Sequence, residues 1–140
     1  MIELEEANQR ILDALVSTGT ETLALSDAAT RVLAADISSP INLPAFDNSA
    51  MDGYAVRSVD AITGSRLRII GEVPAGTVFE KEISEGECVR IFTGSPIPAG
   101  ANAVVMQEDT HADKETIEIT DGVKPFEHVR LRGEDIKQGE

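Results

Sequence analysis

The 140-residue chain contains no tryptophan, one tyrosine and four phenylalanines, so aromatic rings cannot fill its interior. A core must come from Ile, Val, Leu and Ala, and β-branched aliphatic residues pack well on a pleated sheet. The one cysteine, Cys88, excludes a disulfide framework, and in Gly86-Glu87-Cys88-Val89-Arg90 it alternates with polar neighbours like a buried thiol on a strand. Basic side chains are scarce: 12 stand against 25 acidic ones, a formal charge of −13. Such a balance repels phosphate backbones and anionic membrane surfaces, which argues against nucleic acid or membrane as partners. An anionic ligand would therefore require a divalent cation, or basic groups lent by another polypeptide. No apolar run approaches a membrane span, and Met1-Ile2-Glu3-Leu4-Glu5-Glu6 lacks the basic opening and apolar core of a secretory signal. A cytoplasmic protein is expected.

The length fits one ordinary domain, or one domain with a piece of a neighbour. Residues 3–17 set Leu4, Ala7, Ile11, Leu12, Leu15 and Val16 at spacings of three and four, with Glu5, Glu6, Asn8, Gln9 and Asp13 on the other side. This predicts an amphipathic helix, stopped by Gly19, whose acidic first turn suits the positive end of the helix dipole. A strand at 22–25, a Ser26-Asp27 cap opening one or two helical turns through Leu33, and an extended stretch at 34–38 are expected next. From Pro40 onward prolines, Asp-Gly pairs and short alternating runs replace helical spacing. Strands are expected at 54–57, 66–71, 77–79, 87–92, 102–107, 116–120 and 128–131, with turns at Gly64, Gly86 and Asp121-Gly122. The fold class is mainly β, a bent, barrel-like β-rich domain with an N-terminal amphipathic helix. The apolar stripe of that helix needs a cover. The polar ending at 133–140 reads as cut rather than finished.

Residues 90–109, RIFTGSPIPAGANAVVMQED, hold a strand, two turns and a second strand. Gly94 permits positive φ, Pro96 and Pro98 stiffen the loop, and the hydroxyls of Thr93 and Ser95 can bond locally or to a ligand. Such a loop is either a plain turn or a place where free N–H groups meet an anion. Neither a P-loop nor a dinucleotide-binding glycine pattern is present. Carboxylates stand beside backbone-fixing residues in three places: Asp47 and Asp52 within 44–56, Glu108 and Asp109, and Glu134 and Asp135 after Gly133. With a hydroxyl such as Thr93 or Ser95 they could hold Mg²⁺, which prefers oxygen ligands; they could equally be capped turns. Arg130 and Arg132, two apart on an expected strand, form either a fork for an anion or pairs with nearby acids. His111 and His128 lack metal-ligand spacing.

FDNSAMDGYAV (46–56), GEVPAG (71–76), RIFTGSPIPAGANAVVMQED (90–109) and VRLRGEDIKQGE (129–140) resemble the N-terminal part of the molybdopterin molybdenumtransferase family, which includes MoeA and the gephyrin E domain. The resemblance implies a transferase that inserts molybdate into adenylylated molybdopterin, releasing AMP and forming molybdenum cofactor with Mg²⁺ assisting. It implies an elongated homodimer whose active site lies between an α/β domain of one subunit and the β-rich second domain of the other. Asp52, Thr93, Arg130 and Asp135 match positions implicated in that cleft: Asp52, Thr93 and Asp135 as catalytic residues, Asp52 and Asp135 toward the metal, Arg130 with Ser95 toward substrate. Residues 1–37 would be helix and connecting strand belonging with neighbouring domains, and 38–140 the second domain. A complete family member is longer, so these residues would supply a half-site unable to turn over alone. A noncatalytic scaffold or binding module of gephyrin type is the alternative implied by the same resemblance.

Overall fold

A computed structural model of the protein describes residues 2–16 and 18–140. The chain divides into two compact units, Met1–Ile37 and Ser38–Glu140.

In the first unit a single α-helix, α1, spans Leu4–Ala14. Glu5 and Glu6 occupy its first turn, and Glu6 pairs with Arg10 one turn on at 2.6 Å. The helix is shorter than its apolar spacing predicts. Leu15 turns extended, with φ −76° and ψ 130°, so the helix ends before Gly19 can act as its stop. Ser17, within the expected helix, lies outside the described residues. No residue of α1 is buried within this unit. The strand expected at 22–25 does not form, and a short 3-10 turn at Leu25–Asp27 takes the place of the expected helical turns. These residues are exposed, and no partner strand lies beside them among the described residues.

The second unit is the β-rich one. Six strands form one sheet: β2 (Gly53–Val56), β3 (Arg66–Val73), β4 (Glu87–Ile91), β5 (Ala103–Met106), β6 (Thr110–Ala112) and β7 (Thr116–Ile119). Their order across the sheet is β5-β2-β4-β3-β7-β6, and the sheet curls into a half-barrel. The β3–β4 pair is parallel and the others antiparallel, with a register shift in β3 between Ile69 and Glu72. Successive side chains of a strand point to opposite faces, and each face of the sheet carries a buried cluster, although Arg66, Arg68 and Glu72 of β3 stay exposed. Tyr54, Val56, Leu67, Cys88, Val105 and Ile117 pack on one side. Ala55, Val73, Val89, Ile91 and Val104 pack on the other. That double burial explains the continuous apolar run of β5, and in β4 it covers Cys88, Val89 and Ile91 while Glu87 and Arg90 stay half-buried. It also fixes Cys88, fully buried, whose thiol desolvation pushes up to about 12.

Two very short strands make a separate ladder, β1 (Asn48–Ser49) with β8 (Val129–Arg130), antiparallel and in the register Asn48↔Arg130. The expected strand at 128–131 thus shrinks to two residues. The strand expected at 77–79 is absent. Its Phe79 instead lays its ring over Gly71, where a Cβ would come within 2.6 Å of the ring, so this segment contributes a side chain rather than a ladder.

Candidate functional site

Asp52 stands immediately before β2, and Thr93 follows β4 by one residue. Because β2 and β4 run antiparallel with Gly53 opposite Ile91, the start of one strand lies beside the end of the other. The result is a direct contact: both the backbone N–H and the hydroxyl of Thr93 donate to Asp52 Oδ1, each at 2.8 Å. These two donors, backbone first, hold the Asp52 carboxyl below the usual carboxylate range, with a further contribution from the Arg90 guanidinium. Its other oxygen, Oδ2, accepts no hydrogen bond from the described residues. Both side chains are exposed. A charged, oriented carboxylate with one open oxygen, beside a hydroxyl, can receive a hard cation or a donor group of a ligand.

The backbone around Asp52 is held on three sides. Its carbonyl accepts the Gln107 N–H at 3.1 Å. The next residue must be glycine, since a Cβ on Gly53 would sit 2.0 Å from the Val105 carbonyl oxygen of β5. The Gly53 carbonyl in turn accepts Nη1 of Arg90 at 3.0 Å. Arg90 was given no role by sequence reasoning. Its spacing of two from Phe92 shows that they share a face of a strand, but Tyr54 comes opposite only through the β2–β4 register.

The Thr93 loop turns at Gly94, φ +83°, whose N–H donates to the Ser49 carbonyl at 2.8 Å. Ser95, expected to face substrate, faces the interior instead. Its side chain is fully buried, and its hydroxyl donates to the Val73 carbonyl at 3.0 Å. Buried and already donating, it anchors the loop and offers nothing to a ligand.

Arg130 and Asp135 are brought together by the turn at Gly133. The Arg130 guanidinium forms an ion pair with Asp135, and its Nε lies 3.8 Å from Glu134. Asp135, hydrogen-bonded and oppositely charged, raises the Arg130 pKa. The fork expected from Arg130 and Arg132 is not built by a strand, since β8 ends at Arg130. Asp47 is a turn cap, its carboxylate accepting the Arg132 N–H at 2.7 Å. The two candidate pairs are linked through one segment: Asn48 pairs with Arg130, the Ala50 N–H donates to the His128 carbonyl, and Asp52 ends the same stretch. No hydrogen bond or ion pair joins Asp52–Thr93 to Arg130–Asp135 among the described residues. Glu108 and Asp109 lie in a 3-10 turn after β5. Among the described residues no three His, Cys, Asp or Glu side chains gather as a metal cage. Nor is any helix among them long and apolar enough to cross a membrane.

The chain is similar to proteins named molybdopterin molybdenumtransferase. The one from Haemophilus influenzae is 44% identical over 142 residues, covering 100% of this chain and 35% of that protein. The one from Staphylococcus aureus strain Mu50 is 38% identical over 144 residues, covering 99% of the chain and 34% of the relative. This chain therefore spans about a third of the length of these relatives. The crystal structure of the molybdopterin biosynthesis MoeA protein from Pyrococcus horikoshii OT3 superposes with a TM-score of 0.78 at 41% identity, over 86% of this chain and 33% of that one. The family described as MoeA N-terminal region (domain I and II) matches residues 2–140. Sequence motifs, curled sheet and family match agree, and the chain belongs to the MoeA N-terminal region family.

Proposed function

We propose that this chain supplies half of an active site in which molybdate is inserted into adenylylated molybdopterin, with release of AMP. The carrying observation is the Asp52–Thr93 contact, placed at the junction of the MDGYAV and FTG motifs and leaving one ionised carboxylate oxygen open. The relatives' name supplies the reaction class.

Asp52 fits a place beside Mg²⁺, because that ion commonly takes only one or two protein carboxylates and completes its shell with water and phosphate oxygens. When bound there, the cation would neutralise charge on the substrate's phosphate oxygens. Thr93 orients Asp52 and keeps it ionised. Arg130 offers a cation to an anionic substrate, and Asp135 holds its guanidinium until the substrate arrives. Asp135, engaged with Arg130 through Oδ1, keeps its second oxygen for the metal, as Asp52 does. A chain of charge −13 retains anions poorly by itself. The remaining basic contacts then come from the second subunit of a homodimer, in the cytoplasm, with residues 1–37 belonging to neighbouring domains and 38–140 forming the second domain.

The test is AMP release by the longer protein that carries this chain, given Mg²⁺ and molybdate. Asp52→Asn is expected to slow it by about a hundredfold, the scale on which loss of one placed charge-stabilising group is felt. An unchanged rate removes the assignment.

A further inference from the structure

We infer that Arg90 is the positioning residue for Asp52, fixing the peptide from which that carboxylate projects. The inference rests on Asp52 having the part proposed above. Arg90 lies on β4 directly opposite Tyr54 of β2. Its guanidinium carbon is 5.1 Å from the Tyr54 ring centroid and 4.9 Å from that of Phe92, so aromatic rings define where the planar group can sit. From there Nη1 donates to the Gly53 carbonyl at 3.0 Å and Nη2 to Gln107 Oε1 at 2.5 Å. Gln107 closes the circuit, since its own N–H donates to the Asp52 carbonyl at 3.1 Å. The carbonyl of the Asp52–Gly53 peptide and that of the peptide after it are thus both held, the second by Arg90 itself and the first by its partner.

Neither acceptor on Arg90 is a carboxylate. An arginine whose task were only to cement the sheet would serve as well with one of the chain's many acids as its partner. Here the positive charge stays directed at the start of β2, where it also favours the ionised form of Asp52. Lysine cannot replace it, because a single ammonium lacks both the fork and the flat face that stacks between rings.

The Thr93 N–H reports on this geometry, because it is bonded to Asp52 Oδ1. Hydrogen exchange of that amide is measured in this chain and compared with the amides of Val89 and Ile91 in β4. Arg90→Lys is expected to speed Thr93 exchange about tenfold, the scale of one lost charge-assisted hydrogen bond, while the β4 amides keep their rates. Phe92→Leu, which keeps the arginine and removes one ring, is expected to act in the same direction, and Phe92→Tyr to preserve protection. Thr93 exchange that stays unchanged, or rises only in step with Ile91, overturns the inference; should Arg90→Lys fail to fold, Phe92→Leu decides by the same readout. In the longer protein, Arg90→Lys is expected to lower the AMP release rate about tenfold, the scale of losing an orienting partner of a ligand residue. A normal rate with Arg90→Lys beside a crippled Asp52→Asn overturns the role of Arg90 alone, whereas a normal rate with Asp52→Asn overturns the functional reading itself.

Discussion

Replacing Gly53 by alanine should break the sheet where the site is built. A Cβ at that position would lie 2.0 Å from the Val105 carbonyl oxygen, 2.9 Å from its carbonyl carbon and 3.0 Å from Met106 Cα, all of them backbone atoms. No side chain can swing away to relieve the clash. Carbon and oxygen come into ordinary contact at about 3.3 Å, so β2 and β5 must part by roughly 1.3 Å. Neighbouring strands are spaced about 4.8 Å apart, and such a separation takes the nearby ladder bonds out of reach. The pairs at risk are Gly53↔Met106 and Tyr54↔Val105. With the lost bonds and the buried groups left unpaired, a destabilisation of roughly 3–5 kcal/mol follows. At a urea slope of about 1.5 kcal/mol/M, the unfolding midpoint should fall by about 2 M or more. Gly76→Ala is the control: φ is +84° there, yet a Cβ meets nothing within 4 Å. It should cost only the left-handed backbone strain, about 1 kcal/mol. Urea unfolding followed by circular dichroism compares the two, and equal midpoints would refute the close-approach argument.

Ile91→Ala empties a fully buried position between β4 and its neighbours and should cost about 3–4 kcal/mol in the same assay, whereas Leu25→Ala, 93% exposed within its own unit, should stay within about 0.5 kcal/mol. Cys88, with its thiol pushed up to about 12, should resist a thiol reagent in the folded chain at neutral pH and react at once in denaturant; rapid modification of the folded chain would contradict its burial. Asp113 accepts the N–H groups of Glu115 and Thr116 and the Thr116 hydroxyl, which lower its pKa from 3.8. A depressed folded pKa means stabilisation present above the unfolded value and lost as pH falls through the folded one. The stability advantage of the native chain over Asp113→Asn should therefore be full near about pH 6 and shrink as the pH drops below about 4, and a gap independent of pH would refute it.

The β-rich half was legible because sheet burial leaves a pattern that survives in one dimension. Residues 103–106 are apolar on consecutive positions since both sides of β5 are covered, residues 87–91 bury Cys88, Val89 and Ile91 beside the half-buried Glu87 and Arg90, and Gly64, Gly86 and Asp121-Gly122 punctuate the strands. Strands β1 and β6 escaped notice because a two- or three-residue ladder is defined by its partner far along the chain, as Asn48 is by Arg130. The strand expected at 22–25 fails for a related reason, since no partner strand lies beside it among the described residues. At the site, glycine and motif spacing singled out Asp52 and Thr93, but not that Thr93 donates twice to one carboxylate oxygen. The two hydroxyls of the Thr-Gly-Ser loop look alike in sequence. Only the register that turns Ser95 onto the Val73 carbonyl separates the anchor from the exposed group. Arg90 was invisible in its role, since a ring from β2 and one just past the end of β4 define its place.

The central claim is that Asp52–Thr93 and Arg130–Asp135 are one half of a binding surface completed by another part of the longer protein. Its most direct test is an NMR titration with Mg²⁺ and adenylylated molybdopterin, following the Asp52, Thr93, Arg130 and Asp135 amides. It is run on this chain alone, on the longer protein, and on that protein carrying Asp52→Asn. The account predicts saturable shifts at these residues in the longer protein, binding weakened by at least about tenfold in the variant, and only weak, unsaturated shifts in this chain alone. Binding to this chain as tight as to the longer protein, or an Asp52→Asn protein that binds as well as the native one, would contradict it.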